Sequence, residues 1–213
     1  MSKRLARAAS LPSHPSAEES DHIGLERLMF FSDAVFAIAI TLLALEIRLP
    51  GGEGALTDDE LSRQLLSLWP KYLAFAISFL VIGTFWLGHH RRFRYIRRYD
   101  RRLLWINLVL LLLVAFIPFP TAVISEYTNR TATIFYALIM TLTGLMSGAI
   151  WWYAAWHDRL IDPNLDRRHR RYECLAPLVI PSIFLLSIGL AFINADLARY
   201  SWALTAPAAL LIR

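Results

Sequence analysis

The sequence predicts an all-α membrane protein with six transmembrane helices per subunit and both termini cytoplasmic. Three observations carry that prediction. The 213 residues are 56% hydrophobic with a mean hydropathy of +0.44, too apolar for a soluble domain of this size. The apolar residues fall in blocks of spanning length, about 20 residues at 1.5 Å rise each. The basic residues gather in alternate segments. With the N-terminus, the second and fourth loops and the C-terminus on one side, all but five of the 22 Lys and Arg lie there, the exceptions being Arg48, Arg63, Lys71, Arg130 and Arg199. That asymmetry sets the orientation. The net charge of +5 therefore reads as topology and not as a nucleic-acid surface, because the positives flank spans.

Residues 1–26 read as a disordered cytoplasmic tail, rich in Ser, Ala and charge, with prolines at Pro12 and Pro15. They hold no apolar core of signal-peptide length, so the first span reads as a retained anchor. Residues 27–213 read as one six-helix transmembrane domain, with spans at about 28–48, 69–89, 103–124, 131–156, 174–193 and 200–213.

The first span, RLMFFSDAVFAIAITLLALEI, ends where Pro50 and the Gly51-Gly52 pair break helical continuation. Thr57 with Glu60 three residues on is a capping-box pattern and predicts a short surface helix in the following loop. Trp69 and Tyr72 place the start of the second span at an interface. Its end runs into HHRRFRYIRRYDRR, seven arginines against one acid. The third span contains Asn107, Pro118 and Pro120. The fourth carries a GxxxG pattern, Gly144 to Gly148, suited to close helix approach, and ends in an aromatic belt of Trp151, Trp152, Tyr153 and Trp156. An arginine-rich loop, 157–173, precedes the fifth span, whose Pro177 and Pro181 are expected to kink or open its first turns. The last apolar block, Tyr200 to Ile212, reaches about 20 Å, short of a hydrocarbon core of about 30 Å.

Asp33 stands out, because a carboxylate inside a span is expensive, at about 2.5 to more than 10 kcal/mol. The topology brings Arg27, Ser32, Asp33, His89 and Asn107 to a similar depth from three helices, where His and Asn can supply donors. On a helical wheel Ile38, Thr41, Leu42 and Leu45 fall within a sector of about 100°, with Ser32 and Asp33 on the far side. Such a stripe also suits lipid or helix packing. The lone Cys174 excludes an intramolecular disulfide and a cysteine metal cluster. His89 and His90 are helical neighbours pointing about 100° apart, so no metal site is expected. No Walker loop, HExxH, nucleophile elbow or TVGYG filter occurs, and no enzyme is expected.

Arg27-x-x-x-Phe31-Ser32-Asp33, followed by AVFAIAITLLALEI, resembles the signature first helix of the transmembrane protein 175 family of potassium channels. Support continues through Trp69-Pro70, FWLGHHRRF at Phe85–Phe93, LLWINL at Leu103–Leu108 and IPFPT at Ile117–Thr121. One signature and no internal duplication point to the prokaryotic single-repeat form. The resemblance implies a homotetrameric, potassium-permeable channel in the bilayer of a bacterial plasma membrane, with the first helix of each subunit lining a central pore. It implies potassium as permeant ion, no cofactor and no nucleic-acid partner. The family's hydrophobic constriction maps onto Ile38 and its hydroxyl layer onto Thr41, with Leu42 and Leu45 continuing the lining. Its interhelical network maps onto Arg27, Ser32, Asp33, His89 and Asn107, with Phe31 in the signature and Trp86 matching the tryptophan before the histidine. A proton-coupled secondary transporter using Asp33 and His89 as a relay is the alternative expectation.

Overall fold

A computed structural model describes residues 17–49 and 56–211. The described residues form α-helices α1 (Ala17–Leu45), α2 (Asp58–Ser67), α3 (Trp69–Phe93), α4 (Arg101–Phe116), α5 (Pro118–Glu126), α6 (Arg130–Ala155), α7 (Arg167–Ala191), α8 (Ala195–Ser201) and α9 (Thr205–Leu211). Five helical stretches among them are long and apolar enough to cross a membrane, with α4 and α5 together making the third. The chain is a multi-pass membrane protein.

Several helix starts follow from single side chains. Thr57 and Glu60 form the expected reciprocal box at α2: the Thr57 N–H donates to Glu60 Oε2 at 2.9 Å and the Glu60 N–H to Thr57 Oγ1 at 3.4 Å. Asp100 caps α4 through the Leu103 N–H (2.8 Å), and Asn129 caps α6 through the Ala132 N–H (2.9 Å). Pro70 sits in the first turn of α3, where its missing N–H matters least. Pro118 lacks an N–H for the ladder, and the third span breaks at Ile117 into α4 and α5.

Three expectations change. Helix α1 starts ten residues before Arg27, so 17–26 is not a disordered tail; Leu25 is buried and Gly24 lies against the Tyr99 ring, which docks this turn on the α3–α4 link. Residues 1–16 lie outside the described residues. Segment 167–173, assigned to a loop, is the start of α7, because its Glu173 is held by the end of α3. The sixth span is not one continuous helix. Chain 195–211 runs as α8, a 3₁₀ turn at Trp202–Leu204 and α9, with Pro207 denying the ladder an N–H. Trp202 anchors this stretch by donating from Nε1 to Ser187 Oγ at 2.9 Å while packing on Tyr136 and Phe184.

Helices α6 and α7 share the most extensive contact, and their sequences explain it. A Cβ on Gly144 would meet Pro181 Cγ at 2.6 Å, and one on Gly148 would meet Pro177 Cβ at 3.1 Å. The two glycines of GxxxG thus seat the two prolines of α7, at matching four-residue spacing. Helix α1 packs instead on α3, α4 and α5. At one end of the bundle a bridge between Ile96 and Ile161 stitches the two arginine-rich segments together, through Arg97 N–H to Leu160 O (2.8 Å) and Asp162 N–H to Tyr95 O (3.0 Å). Asp100 takes part there as well. Partial burial pushes its pKa up, but hydrogen bonds from the Tyr153 hydroxyl and the Leu103 N–H, with Arg159 nearby, outweigh this and hold the carboxyl below its usual range.

Candidate functional site

The site is built on the two faces of α1. Leu25, Ser32, Phe36, Ala39 and Leu43 are buried, spaced at three, four and seven residues, and form the face that meets α3 and α4. Ile38, Thr41, Leu42 and Leu45 are all exposed on the subunit, Ile38 at 58% and Leu45 at 61%, so the striped sector read from the sequence is left uncovered. Thr41 Oγ1 donates its one proton to Ile38 O at 2.8 Å. Its oxygen accepts no hydrogen bond among the described residues.

The inner face carries a directional hydrogen-bond chain. His89 Nε2 and Asn107 Oδ1 are 2.9 Å apart, and since an amide oxygen only accepts, the histidine is the donor and carries its proton on Nε2. Asn107 Nδ2 donates to Ser32 Oγ at 3.0 Å, and the Ser32 hydroxyl donates to Leu28 O at 2.8 Å. All three side chains are buried, and the His89 ring lies between Phe36 and Phe93, with centroids at 5.6 and 4.3 Å. The chain joins α1, α3 and α4 at one depth. Asn107→Ala would leave His89 Nε2 and Ser32 Oγ buried with a partner lost, at about 1–3 kcal/mol for each group. Thermal unfolding in detergent is expected to shift down accordingly, and an unchanged melting temperature would contradict the bridging role of Asn107.

The remaining members of the expected network do not join this chain. Asp33 turns to the other side of α1, where Trp86 Nε1 donates to its Oδ1 at 2.8 Å. It lines a cavity of about 840 Å³ together with Glu26, His90, Arg94 and Arg98, and the residue is half-buried. No hydrogen bond joins Asp33 to His89 among the described residues. Phe31 is exposed. Arg27 is exposed too, and no hydrogen bond or ion pair engages it among the described residues.

One polar cluster was not foreseen. Glu173 of α7 is 2% exposed and is gripped by Arg91, with Arg92 Nε 3.5 Å from its Oε2. Arg92 is buried as well, and its Nη1 donates to Ser147 O at 3.0 Å and Ser147 Oγ at 2.9 Å on α6. Gly88 makes the room: a Cβ there would stand 2.9 Å from Arg92 Nη2. The available sequence signal was a glycine one turn before an arginine at the end of a span, with an acid at the close of an arginine-rich segment.

Comparison with known proteins bears on these residues. Residues 27–118 match the sequence model of the family described as endosomal/lysosomal potassium channel TMEM175. A potassium channel of Streptomyces collinus is 40% identical over 189 residues, covering 84% of this chain and 88% of that protein. The crystal structure of a lysosomal potassium-selective channel TMEM175 homolog from Chamaesiphon minutus superposes with a TM-score of 0.79 at 35% identity, covering 90% of this chain and 99% of that one. The zebrafish endosomal/lysosomal proton channel TMEM175 is 28% identical over 163 residues, covering 75% of this chain and 30% of that longer protein.

Proposed function

The chain belongs to the TMEM175 family, and from that premise we propose that it is a potassium-permeable cation channel of the bacterial plasma membrane. Four subunits assemble about an axis, and the four copies of α1 line the pore. The observation that carries this reading is the division of α1 itself. One face is packed against α3 and α4, while Ile38, Thr41, Leu42 and Leu45 stand exposed on the other. Four Ile38 side chains make an apolar constriction that gates by dewetting. Thr41 supports selection without a fixed charge: its proton is committed to Ile38 O, so four hydroxyl oxygens offer lone pairs to a passing cation. Potassium is the permeant ion and not a cofactor. The Ser32–Asn107–His89 chain and the Trp86–Asp33 bond hold α1 in register against α3 and α4.

Flux from proteoliposomes tests the reading. In a Cys174→Ser background, Ile38→Cys protein is expected to lose potassium flux on treatment with a cationic methanethiosulfonate reagent. Leu186→Cys, on the exposed face of α7, is expected to keep it. Flux through Ile38→Cys protein that survives full modification removes α1 from the conduction path. A proton gradient alone, followed with a pH dye in the same vesicles, separates potassium conduction from the proton conduction for which the zebrafish relative is named.

A further inference from the structure

We propose that the junction of α3, α6 and α7 binds one internal water, held between the Arg92 guanidinium, the Ser147 hydroxyl and the carbonyl that Pro181 leaves open on α7. The inference is independent of the pore assignment above, because every group it uses is enclosed within one subunit.

A cavity of about 20 Å³ lies at this junction. Its walls include Gly88 and Arg92 of α3, Ser147 of α6, and Ala176, Pro177 and Ile180 of α7. All six residues are buried by their own subunit's helices. A water needs about 10–15 Å³ of such space, so the cavity takes one and has no room for an acyl chain.

Three groups on these walls have bonding capacity left over. Arg92 spends Nη1 on Ser147 O (3.0 Å) and Ser147 Oγ (2.9 Å). Its buried Nε has no hydrogen-bond partner among the described residues; Glu173 Oε2, at 3.5 Å, attracts it without closing a hydrogen bond. The Ser147 hydroxyl accepts from Arg92 and hands its own proton to no acceptor among the described residues. Pro181 has no N–H, so Pro177 O lacks the donor that a helix supplies four residues on. One water can accept from Arg92 and Ser147 and donate to Pro177 O, and three bonds are usual for a buried water. Ordered water is also one of the ways a proline-broken span recovers its lost ladder bond.

Charge selects the ligand as sharply as size does. An anion drawn to Arg92 would stand against the Glu173 carboxylate, and a cation would stand against Arg91 and Arg92. A small neutral molecule that both donates and accepts meets neither penalty. The water then ties the gap in the α7 ladder to α3 and α6, so the prolines bend this span without making it a hinge.

A structure of the wild-type channel, at a resolution where ordered waters are seen, tests this. One peak is expected within hydrogen-bond distance of Arg92, Ser147 Oγ and Pro177 O. Well-ordered walls with no peak between them overturn the proposal, and so does an anomalous peak there after a bromide soak, which would make the ligand an anion. Two variants add a solution readout. Ala176→Ser brings a hydroxyl into the cavity and should displace the water with little change in the unfolding midpoint. Ala176→Val fills the space with methyl groups that bond to nothing, and should lower the midpoint by about 3 °C or more. Equal losses in the two variants overturn the proposal, since crowding alone would explain both. Radiolytic footprinting gives a third measure, because hydroxyl radicals formed at a bound water oxidise its buried neighbours. Phe85, on the cavity wall, should be labelled more than Phe184, which is buried away from it, and the excess should vanish in Ala176→Ser. Labelling of Phe85 no greater than that of Phe184 overturns the site. If neither variant assembles, the wild-type peak and the wild-type labelling decide.

Discussion

Glu173→Ala is expected to leave little folded channel. The carboxylate is buried where α3, α6 and α7 meet, with Arg91 and Arg92 both turned on it. Removing it leaves two guanidiniums facing each other in a poorly solvated place, and breaking a buried pair from one side costs about 3–5 kcal/mol. That is a large share of a stability of about 5–15 kcal/mol. The readouts are tetramer yield on size exclusion and the unfolding midpoint in detergent. Glu173→Gln should be milder, since it keeps an acceptor oxygen and the side-chain volume. Adding Arg91→Gln to Glu173→Gln should recover part of the loss, because one uncompensated charge goes with it; that recovery is what a double-mutant cycle measures. A Glu173→Ala protein as stable as the wild type would show that the cluster does not hold α7 in place.

Ile38→Asn is expected to act on conduction and leave folding nearly untouched. Ile38 is exposed on the subunit, and substitutions at such positions usually stay within about 0.5 kcal/mol. In the tetrameric pore proposed above, four amides would replace four apolar side chains at the constriction, and water and ions would cross it more readily. A barrier lowered by about 1.4 kcal/mol multiplies the rate ten-fold. Shared among four side chains, that is about 0.35 kcal/mol each, well below the transfer difference between Ile and Asn. Potassium flux about ten-fold or more above the wild type is therefore expected at equal protein content. Unchanged flux would place the constriction elsewhere.

Local signals in the sequence translated directly into structure. The Thr57–Glu60 box and the striped face of α1 depend on residues three to seven apart, and both were readable. So was the fourth span, by its apolar length and its aromatic end. The pairing of Gly144 and Gly148 with Pro177 and Pro181 was half-visible: each motif could be seen, but nothing local said they face each other. Glu173 escaped because hydropathy assigns an acid among arginines to a loop, while its partner Arg91 lies 82 residues earlier in the chain. Within the subunit Arg27 meets no partner among the described residues, and at 100° per residue it and Asp33 lie on different faces of α1. The split of the third span at Ile117 and the interrupted last segment depend on where prolines fall relative to the ladder, which apolar block length does not encode.

The hydrogen-bond chain from His89 to Leu28 has a bearing on how charge crosses this subunit. A Grotthuss wire needs links that accept a proton at one end and release another at the far end. Here the direction is fixed by an amide, and the last acceptor is a backbone carbonyl, which has no proton to hand on. The aromatic rings of Phe36 and Phe93 close over its first member. This chain is thus an insulator. It ties α1 to α3 and α4 without offering a proton a way through the subunit.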